Sequence, residues 1–211
     1  MWADRRAAGE ALSRLLSGRS DLAGALVLGL PRGGTIVAGP VARALGAEVD
    51  ACLVRKLGVP DQPELAFGAI ASGGIRVFNE EIVDQAGITV QEVATIAARE
   101  ERELAWRETA YRSGRPPLRP VGRDIVLVDD GLATGATMRA AIRAMRAAGA
   151  RRIVVAVPVA SSRAVRELAR DVDEVITLET PRQFVAVGAH YGEFSPPSDD
   201  EVRAALRSEC P

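Results

Sequence analysis

The most constraining feature of the sequence is residues 125–138, I-V-L-V-D-D-G-L-A-T-G-A-T-M, where an apolar run meets two adjacent acids and a turn of small residues. Residues 125–128 predict a buried strand, and the Ala-rich residues 138–148 predict a helix. Loop N–H groups and a helix N-terminus favour a bound anion such as phosphate. The carboxylates of Asp129 and Asp130 could accept hydrogen bonds from vicinal hydroxyls or face a divalent cation. A sugar phosphate fits both halves, and the alternative is an ordinary strand–loop–helix with an acidic edge.

The remaining pattern predicts an α/β fold with a parallel core sheet flanked by helices. Residues 25–30, 35–45 and 49–54 read as strand, helix and strand, which is a βαβ unit. Pro40 is expected to bend the helix or to mark a second start, and Gly46 is expected to end it. Apolar runs at 153–159 and 174–178 predict two more core strands. Helices are predicted over residues 4–16, 163–170 and 198–206.

Residues from about 61 to 120 resemble an insertion within a single domain that spans residues 1–211. Strands are predicted at 65–70 and 75–78, with Gly73 and Gly74 in the turn between them. A long charge-rich helix is predicted over 89–112, and the proline-rich residues 113–120 lead back to the core. A lid or hood over the core is the natural role for such a segment.

Composition excludes several functional classes. The formal net charge of −1 gives no basic bias towards nucleic acid. The sequence has neither a signal-peptide-like N-terminus nor a run long enough to cross a membrane. Cys52 and Cys210 have no metal-ligand spacing, and a disulfide framework is not expected, which suits a cytoplasmic protein. The sequence leaves open whether the protein forms a homo-oligomer.

Three predicted strand ends carry polar or glycine residues: residues 31–34, the pair Arg55 and Lys56, and residues 129–137. Open parallel sheets bind ligands outside the carboxyl ends of their strands, where the strand order reverses. If the three ends meet there, they suit a ligand with a phosphate, a diol and a second anionic group. Neither a dinucleotide G-x-G-x-x-G motif nor a P-loop is present.

The motif V-L-V-D-D-G-L-A-T-G-A-T resembles the phosphoribosyl pyrophosphate signature of type I phosphoribosyltransferases, and its Ala-Thr-Gly loop is most similar to that of adenine phosphoribosyltransferase. The resemblance implies that Asp129 and Asp130 contact the ribose hydroxyls, with Mg²⁺ shared between the sugar and the pyrophosphate. It also implies that a loop wraps the 5-phosphate. The residues of this loop are Ala133, Thr134, Gly135, Ala136 and Thr137.

The resemblance extends to the pyrophosphate end of the donor. Residues 30–34, L-P-R-G-G, resemble the family's pyrophosphate loop, which implies backbone contacts from Gly33 and Gly34. The sequence R-K-L-G at residues 55–58 is similar to a segment that steadies pyrophosphate in the adenine enzymes. The cations of Arg32, Arg55 and Lys56 would then stabilise the departing pyrophosphate. We therefore predict a catalytic set of Asp129, Asp130, Arg32 and Lys56.

Two features leave the acceptor open. Hypoxanthine-guanine enzymes place an acid where Ala133 stands, so the proton acceptor of those enzymes is missing here. Glu64 is a candidate substitute, or else a solvated loop acid. The sequence P-R-Q-F-V-A-V-G at 181–188 resembles the purine-stacking segment of the hypoxanthine-guanine enzymes, so Phe184 is expected to stack on a base or to cap the core.

The first functional hypothesis is an enzyme of nucleotide metabolism. It transfers the 5-phosphoribosyl group from magnesium-bound phosphoribosyl pyrophosphate to a nitrogenous base, and pyrophosphate leaves. The second hypothesis is a non-catalytic regulator that binds phosphoribosyl pyrophosphate or a nucleotide. The third is a hydrolase in which water replaces the base.

Overall fold

The computed structural model of the chain describes residues 1–60 and 62–207, with only the backbone at Pro63 and Glu64. The glutamate side chain considered above as a proton acceptor, and Cys210, lie outside the described parts. The helices are α1 (Arg5–Leu16), α2 (Gly33–Leu45), α3 (Glu80–Gln85), α4 (Val90–Arg112), α5 (Ala136–Ala147), α6 (Ser162–Leu168) and α7 (Asp199–Arg207). The strands are β1 (Leu26–Gly29), β2 (Glu48–Ala51), β3 (Val54–Val59), β4 (Gln62–Ala71), β5 (Ile75–Phe78), β6 (Asp124–Val128), β7 (Arg152–Val159) and β8 (Glu174–Glu179).

The core is a five-stranded parallel sheet in the order β2-β1-β6-β7-β8. Leu28 of β1 pairs with Leu127 of β6, and the two strands end side by side. The strand order reverses between them, since β2 lies on one side of β1 and every later core strand lies on the other. The predicted parallel α/β core is therefore confirmed, and the ligand-binding switch point of such a sheet falls between β1 and β6.

Helices cover both faces of this sheet, which explains the continuous apolar runs of its strands. On one face Val27 and Val126 pack with residues of α1 and α2, such as Leu12. On the other face Leu28 and Leu127 pack with α5 and α6. All of these strand residues are fully buried.

A second sheet, antiparallel and in the order β3-β4-β5, lies between β2 and β6 in sequence. It packs with α3, α4 and α7 around buried residues such as Phe67 and Leu104. Arg55 and Lys56 were expected at the end of a core strand, but they lie within β3 of this sheet. The apolar character of residues 49–54 continues across the corner between β2 and β3, so the sequence alone did not show where the core strand ends.

A buried ion pair fixes α4 to the core sheet. Arg112, the last residue of α4, donates from Nε and Nη2 to the carboxylate oxygens of Asp50 in β2 at 3.0 and 2.9 Å. Arg115 approaches the same carboxylate at 3.2 Å and donates to the Val49 carbonyl. Asp50 is only 4% exposed, and a bidentate pair in such a site has a defined geometry. The C-terminal end of α4 is thus anchored at β2.

Helix α2 differs in two respects from the sequence expectation. It begins at Gly33 instead of residue 35, and it continues through Pro40 without a second start. Pro40 packs against α1, where its Cγ atom lies 3.2 Å from the position that a Cβ atom on Gly9 would take. Within residues 1–60 and 62–207, no helix has the length and apolar character needed to cross a membrane.

Candidate active site

Glycines bring the loop after β1 into direct contact with the two acids after β6. A Cβ atom on Gly33 would lie 1.9 Å from Oδ2 of Asp130. A Cβ atom on Gly34 would lie 2.5 Å from the Val128 carbonyl oxygen and 3.0 Å from Oδ1 of Asp129. A larger residue fits at Gly33 only if Asp130 moves, and at Gly34 only if the backbone at Val128 and Asp129 moves. Two of the motifs singled out in the sequence therefore form one continuous surface at the switch point.

The loop after β1 is held by its own hydrogen bonds. Its entry is fixed by Leu30, whose N–H donates to the Val128 carbonyl at 2.8 Å. Its exit is fixed by Thr35, a fully buried residue whose hydroxyl donates to the Arg32 carbonyl at 2.6 Å. The peptide bond between Pro31 and Arg32 is cis. The loop backbone is consequently pinned at both ends beside the acids.

Asp129 directs one carboxylate oxygen towards the backbone, because its Oδ1 accepts a hydrogen bond from the Asp130 N–H at 2.9 Å. Burial and the nearby charge of Asp130 raise the pKa of the Asp129 carboxyl well above its usual range. Burial also raises the pKa of Asp130, and this rise is opposed by Arg5. Two enclosed acids in contact create a demand for positive charge or for hydrogen-bond donors.

Arg5 meets part of this demand, and sequence reasoning missed it. Its Nε donates to Oδ2 of Asp130 at 2.7 Å, and its Nη1 donates to the Ser195 carbonyl at 2.9 Å. Its guanidinium carbon lies 3.9 Å above the ring centre of Phe194. Only 10% of the Arg5 side chain and 16% of the Asp130 side chain are exposed. No local pattern signals this contact, because the partners are 125 and 190 residues apart.

Tyr191 completes the surroundings of Asp130. Its hydroxyl donates to the Asp130 carbonyl at 2.5 Å, and burial raises the pKa of its phenol. Residues 2–3 and 190–193 join beside it, since the Trp2 N–H donates to the His190 carbonyl and the Gly192 N–H donates to the Trp2 carbonyl. The Trp2 and Tyr191 ring centres are 5.6 Å apart. Tyr191 therefore packs against Trp2 and also holds the backbone of an acid.

The loop after the acids is anchored from β7 and α6 and leaves part of its surface open. Leu132 donates its N–H to the Val159 carbonyl, and Ser161 donates its hydroxyl to the Ala133 carbonyl at 2.7 Å. Gly135, which is buried and has a φ of +71°, stands at the start of α5, where a left-handed conformation favours glycine. The exposed loop residues are Ala133, Thr134 and Thr137.

A cleft of about 810 Å³ separates the core from the second sheet. On the second-sheet side, Glu100 of α4 accepts from Nε of Arg55 at 2.7 Å and lies 3.0 Å from Nη2 of Arg99. Lys56 also lines the cleft, and the residues that line it include no aromatic ring. On the core side, the lining consists of Leu30, Pro31, Cys52, Leu53 and Thr137. The predicted pair at 55 and 56 therefore faces the same cleft as the loops after β1 and β6.

Two predicted site residues are not brought to the acids. The Arg32 guanidinium points to α4 and α7, at 3.3 Å from the Tyr111 hydroxyl and 3.2 Å from Oδ1 of Asp199. Phe184 stacks on His190 with ring centres 5.9 Å apart. Three residues further along, the side chain of Val187 lies only 2.6 Å from the position that a Cβ atom on Gly131 would take. The segment that carries Phe184 thus touches the turn that follows the acids.

Among the described residues, no group of three or more His, Cys, Asp or Glu side chains could hold a metal ion. The two adjacent acids therefore cannot form a complete protein cage. Mg²⁺ usually binds through one or two carboxylates together with substrate phosphates and waters. The site fits a Mg²⁺ ion whose remaining ligands come from a phosphorylated substrate, and Asp129 is the acid without an arginine on its carboxylate among the described contacts.

Comparisons with known proteins agree with this geometry. Residues 5–192 match the family described as phosphoribosyl transferase domain. A curated relative from Mycobacterium tuberculosis, named "Putative phosphoribosyl transferase", is 46% identical over 203 residues, which is 96% of this chain and 46% of the relative. The chain spans about half the length of the curated relatives it matches. The crystal structure of TT1426 from Thermus thermophilus is 44% identical and superimposes with a TM-score of 0.90, covering 100% of this chain and 99% of that one.

Proposed function

The chain belongs to the phosphoribosyl transferase family, and on that premise we propose that it transfers the 5-phosphoribosyl group from magnesium-bound phosphoribosyl pyrophosphate to a nitrogenous acceptor. Pyrophosphate is the leaving group. In the reaction, the bond between the anomeric carbon and the pyrophosphate oxygen breaks, and a bond from that carbon to the acceptor nitrogen forms. The proposed setting is cytoplasmic nucleotide metabolism.

The observation that carries this proposal is the contact between the loop after β1 and the two acids. The absence of side chains at Gly33 and Gly34 lets the loop backbone lie directly against Asp129 and Asp130. We propose that the pyrophosphate meets this loop backbone while the sugar hydroxyls meet the two acids. The anchored loop of Ala133–Thr137 beside the same acids offers backbone N–H groups and the start of α5 to the 5-phosphate. These three subsites match a phosphate, a diol and a second anionic group.

We assign to the cleft the positive charge that would stabilise the departing pyrophosphate. Arg55 and Lys56 line it directly, and we propose that they hold the pyrophosphate. Arg32 would reach the same group only after leaving Tyr111 and Asp199. Mg²⁺ bound to the donor would neutralise charge that develops on the pyrophosphate oxygens. Asp129 and Asp130 would orient the sugar and support positive charge on the ribose ring.

The acceptor site is assigned to the space between the donor loops and the second sheet. Residues 61–120 are proposed to act as a hood over this space, with α4 forming one wall of the cleft. Phe184 is proposed to stack on the acceptor from the other side, where its segment contacts the turn at Gly131. The Ala133 side chain cannot take a proton. We therefore expect the phosphoribosyl group to be transferred to a base that needs no acidic residue at that position.

The test is a panel of nitrogenous bases incubated with Mg²⁺ and phosphoribosyl pyrophosphate, with pyrophosphate release as the readout. We expect release with at least one base and a much smaller release without a base. The control is the variant Asp129→Asn together with Asp130→Asn, which should also lose the Mg²⁺-dependent thermal protection that phosphoribosyl pyrophosphate gives.

Three results would lead elsewhere. Release without any base would indicate hydrolysis. Protection by the donor without release would indicate a non-catalytic sensor. Unchanged protection of the doubly substituted variant would remove the acids from the site.

A further inference from the structure

The ion pair between Arg5 and Asp130 is a feature of the site that the proposed reaction has not used. Asp130 is one of two adjacent acids, but only this one has a guanidinium on its carboxylate among the described contacts. The neighbouring Arg6 is 72% exposed on its side chain and contacts only Glu10 at 3.6 Å in the described ion pairs. Position 5 is therefore distinguished from its neighbour by burial and by its partner.

Arg5 is fixed from three directions. Its Nε is bonded to Asp130, its Nη1 is bonded to the Ser195 carbonyl, and its guanidinium lies on the Phe194 ring. On the far side, Gly33 leaves no spare room, since a Cβ atom there would lie 2.7 Å from Nε of Arg5. A long side chain held at so many points loses much conformational freedom. An arginine in an exposed surface ion pair is not held at so many points.

The contact also divides the work of the two acids. Oδ2 of Asp130 accepts a hydrogen bond from Arg5, so a metal ion at that oxygen would lie beside the positive charge of the guanidinium. The backbone that carries this carboxylate is fixed twice more, because the Asp130 N–H donates to Oδ1 of Asp129 and the Asp130 carbonyl accepts from Tyr191. A carboxylate held in this manner suits a hydrogen bond from a neutral hydroxyl, because the strength of such a bond depends on its direction. The hydroxyl can bind without displacing the Arg5 guanidinium.

We propose that Arg5 is a positioning residue of the sugar site: it holds Asp130 as a fixed, charge-compensated acceptor for a ribose hydroxyl and leaves metal contact to Asp129. The inference rests on the proposed function, since it assumes that the site binds a ribose phosphate. It adds a residue from the first turn of α1 to a site otherwise built from the ends of core strands.

The test compares two metal-free ligands that differ in their hydroxyls. Ribose 5-phosphate offers a phosphate and a vicinal diol, and propyl phosphate offers a phosphate without a diol. The dissociation constants of both are measured by calorimetry in the presence of EDTA. Arg5→Gln should lower the preference for ribose 5-phosphate by about tenfold while leaving propyl phosphate nearly unchanged. Arg6→Gln is the matched control and should preserve the wild-type preference, and Arg5→Lys should restore part of it.

Folding and positioning are separated by a second pair of variants. Asp130→Asn removes the enclosed charge, so the combination of Arg5→Gln with Asp130→Asn leaves no uncompensated carboxylate and should fold. If Arg5 acts through Asp130, this double variant and Asp130→Asn alone should show the same ligand preference. A further loss in the double variant, or an unchanged preference in Arg5→Gln, would overturn the inference. A wild-type protein that does not prefer ribose 5-phosphate would instead overturn the proposed function.

Discussion

Two regions of the molecule are built in different ways. One is the edge of the core formed by residues 31–34 and 129–137, called the donor edge below, and the other is the cleft beside the second sheet. At the donor edge the loop backbone packs directly against the acids where side chains are missing, at Gly33 and Gly34, and Arg5 forms an ion pair with Asp130. In the cleft the contacts are ion pairs between long side chains, as between Arg55 and Glu100. Backbone geometry recognises groups that every substrate of this kind shares, whereas side-chain charges can be exchanged without rebuilding the fold. In the proposed reaction, the loop backbone at residues 31–34 and 133–137 would therefore hold the phosphate groups of the donor, and exchangeable side chains in the cleft would add positive charge for its pyrophosphate.

The largest effect is expected from the donor edge. Gly33→Ala places a Cβ atom 1.9 Å from Oδ2 of Asp130, so the acid or the loop must move. We expect the affinity for phosphoribosyl pyrophosphate to fall by about 100-fold, equivalent to about 2.8 kcal/mol. The measurement is a titration followed by thermal shift or calorimetry.

Gly73→Ala provides the matched control for that substitution. Gly73 lies in the turn between β4 and β5 with a φ of +82° and open space around it. Alanine there should lower folding stability by about 1 kcal/mol and leave donor affinity unchanged. Equal losses of donor affinity in both variants would mean that the donor edge has no special dependence on glycine.

A smaller effect is expected from the cleft. Arg55→Gln removes one cation that lines it, and we expect the affinity for pyrophosphate to fall about tenfold, which corresponds to about 1.4 kcal/mol. The affinity for ribose 5-phosphate should stay nearly constant, because that ligand ends before the cleft. Arg76→Gln is a suitable control, since Arg76 of β5 pairs with Glu101 of α4 and does not line this cleft. Parallel losses for both ligands would show that Arg55 supports the fold and not the pyrophosphate.

The smallest expected effect is a gain in folding stability. Burial and Asp130 raise the pKa of Asp129, so the folded protein disfavours the ionised carboxylate relative to the unfolded chain. The resulting loss of stability is fully present above the folded-state pKa and disappears as the pH falls below the unfolded-state value of about 4. Asp129→Asn should therefore stabilise the ligand-free protein at pH 8 by roughly 1 kcal/mol, or about 2–4 °C, and by much less at pH 4.

Thermal melts of both proteins across that pH range check this expectation. Donor binding should be lost in the same variant, so the gain in stability and the loss of binding occur together. A variant that is less stable than the wild type at pH 8 would show that the Asp129 carboxylate supports the fold.

The sequence predicted the donor edge better than its surroundings because the donor motif is local. The strand, the two acids and the turn at 125–138 are consecutive, and the structure has β6, the acids and α5 in that order. Residues 31–34 and 129–137 were expected to meet if their strands were neighbours, and β1 and β6 are neighbours.

The rest depended on contacts that leave no local pattern. Arg5 reads as an ordinary residue in the first turn of an amphipathic helix, and its partner lies far away in the chain. Arg55 was expected at the end of a core strand because the residues before it are apolar, but Cys52 and Leu53 turn the chain into the second sheet. The roles assigned to all of the predicted site residues stay predictions.

The junction of residues 2–3 with residues 190–193 has a consequence for how the protein is made. The Ser195 carbonyl, which holds Arg5 together with the Phe194 ring, is synthesised 190 residues after it. A ribosome-bound nascent chain that already has all five core strands would still lack these contacts of Arg5. Under the proposed function, full sugar affinity would therefore be expected only after residue 195 leaves the exit tunnel.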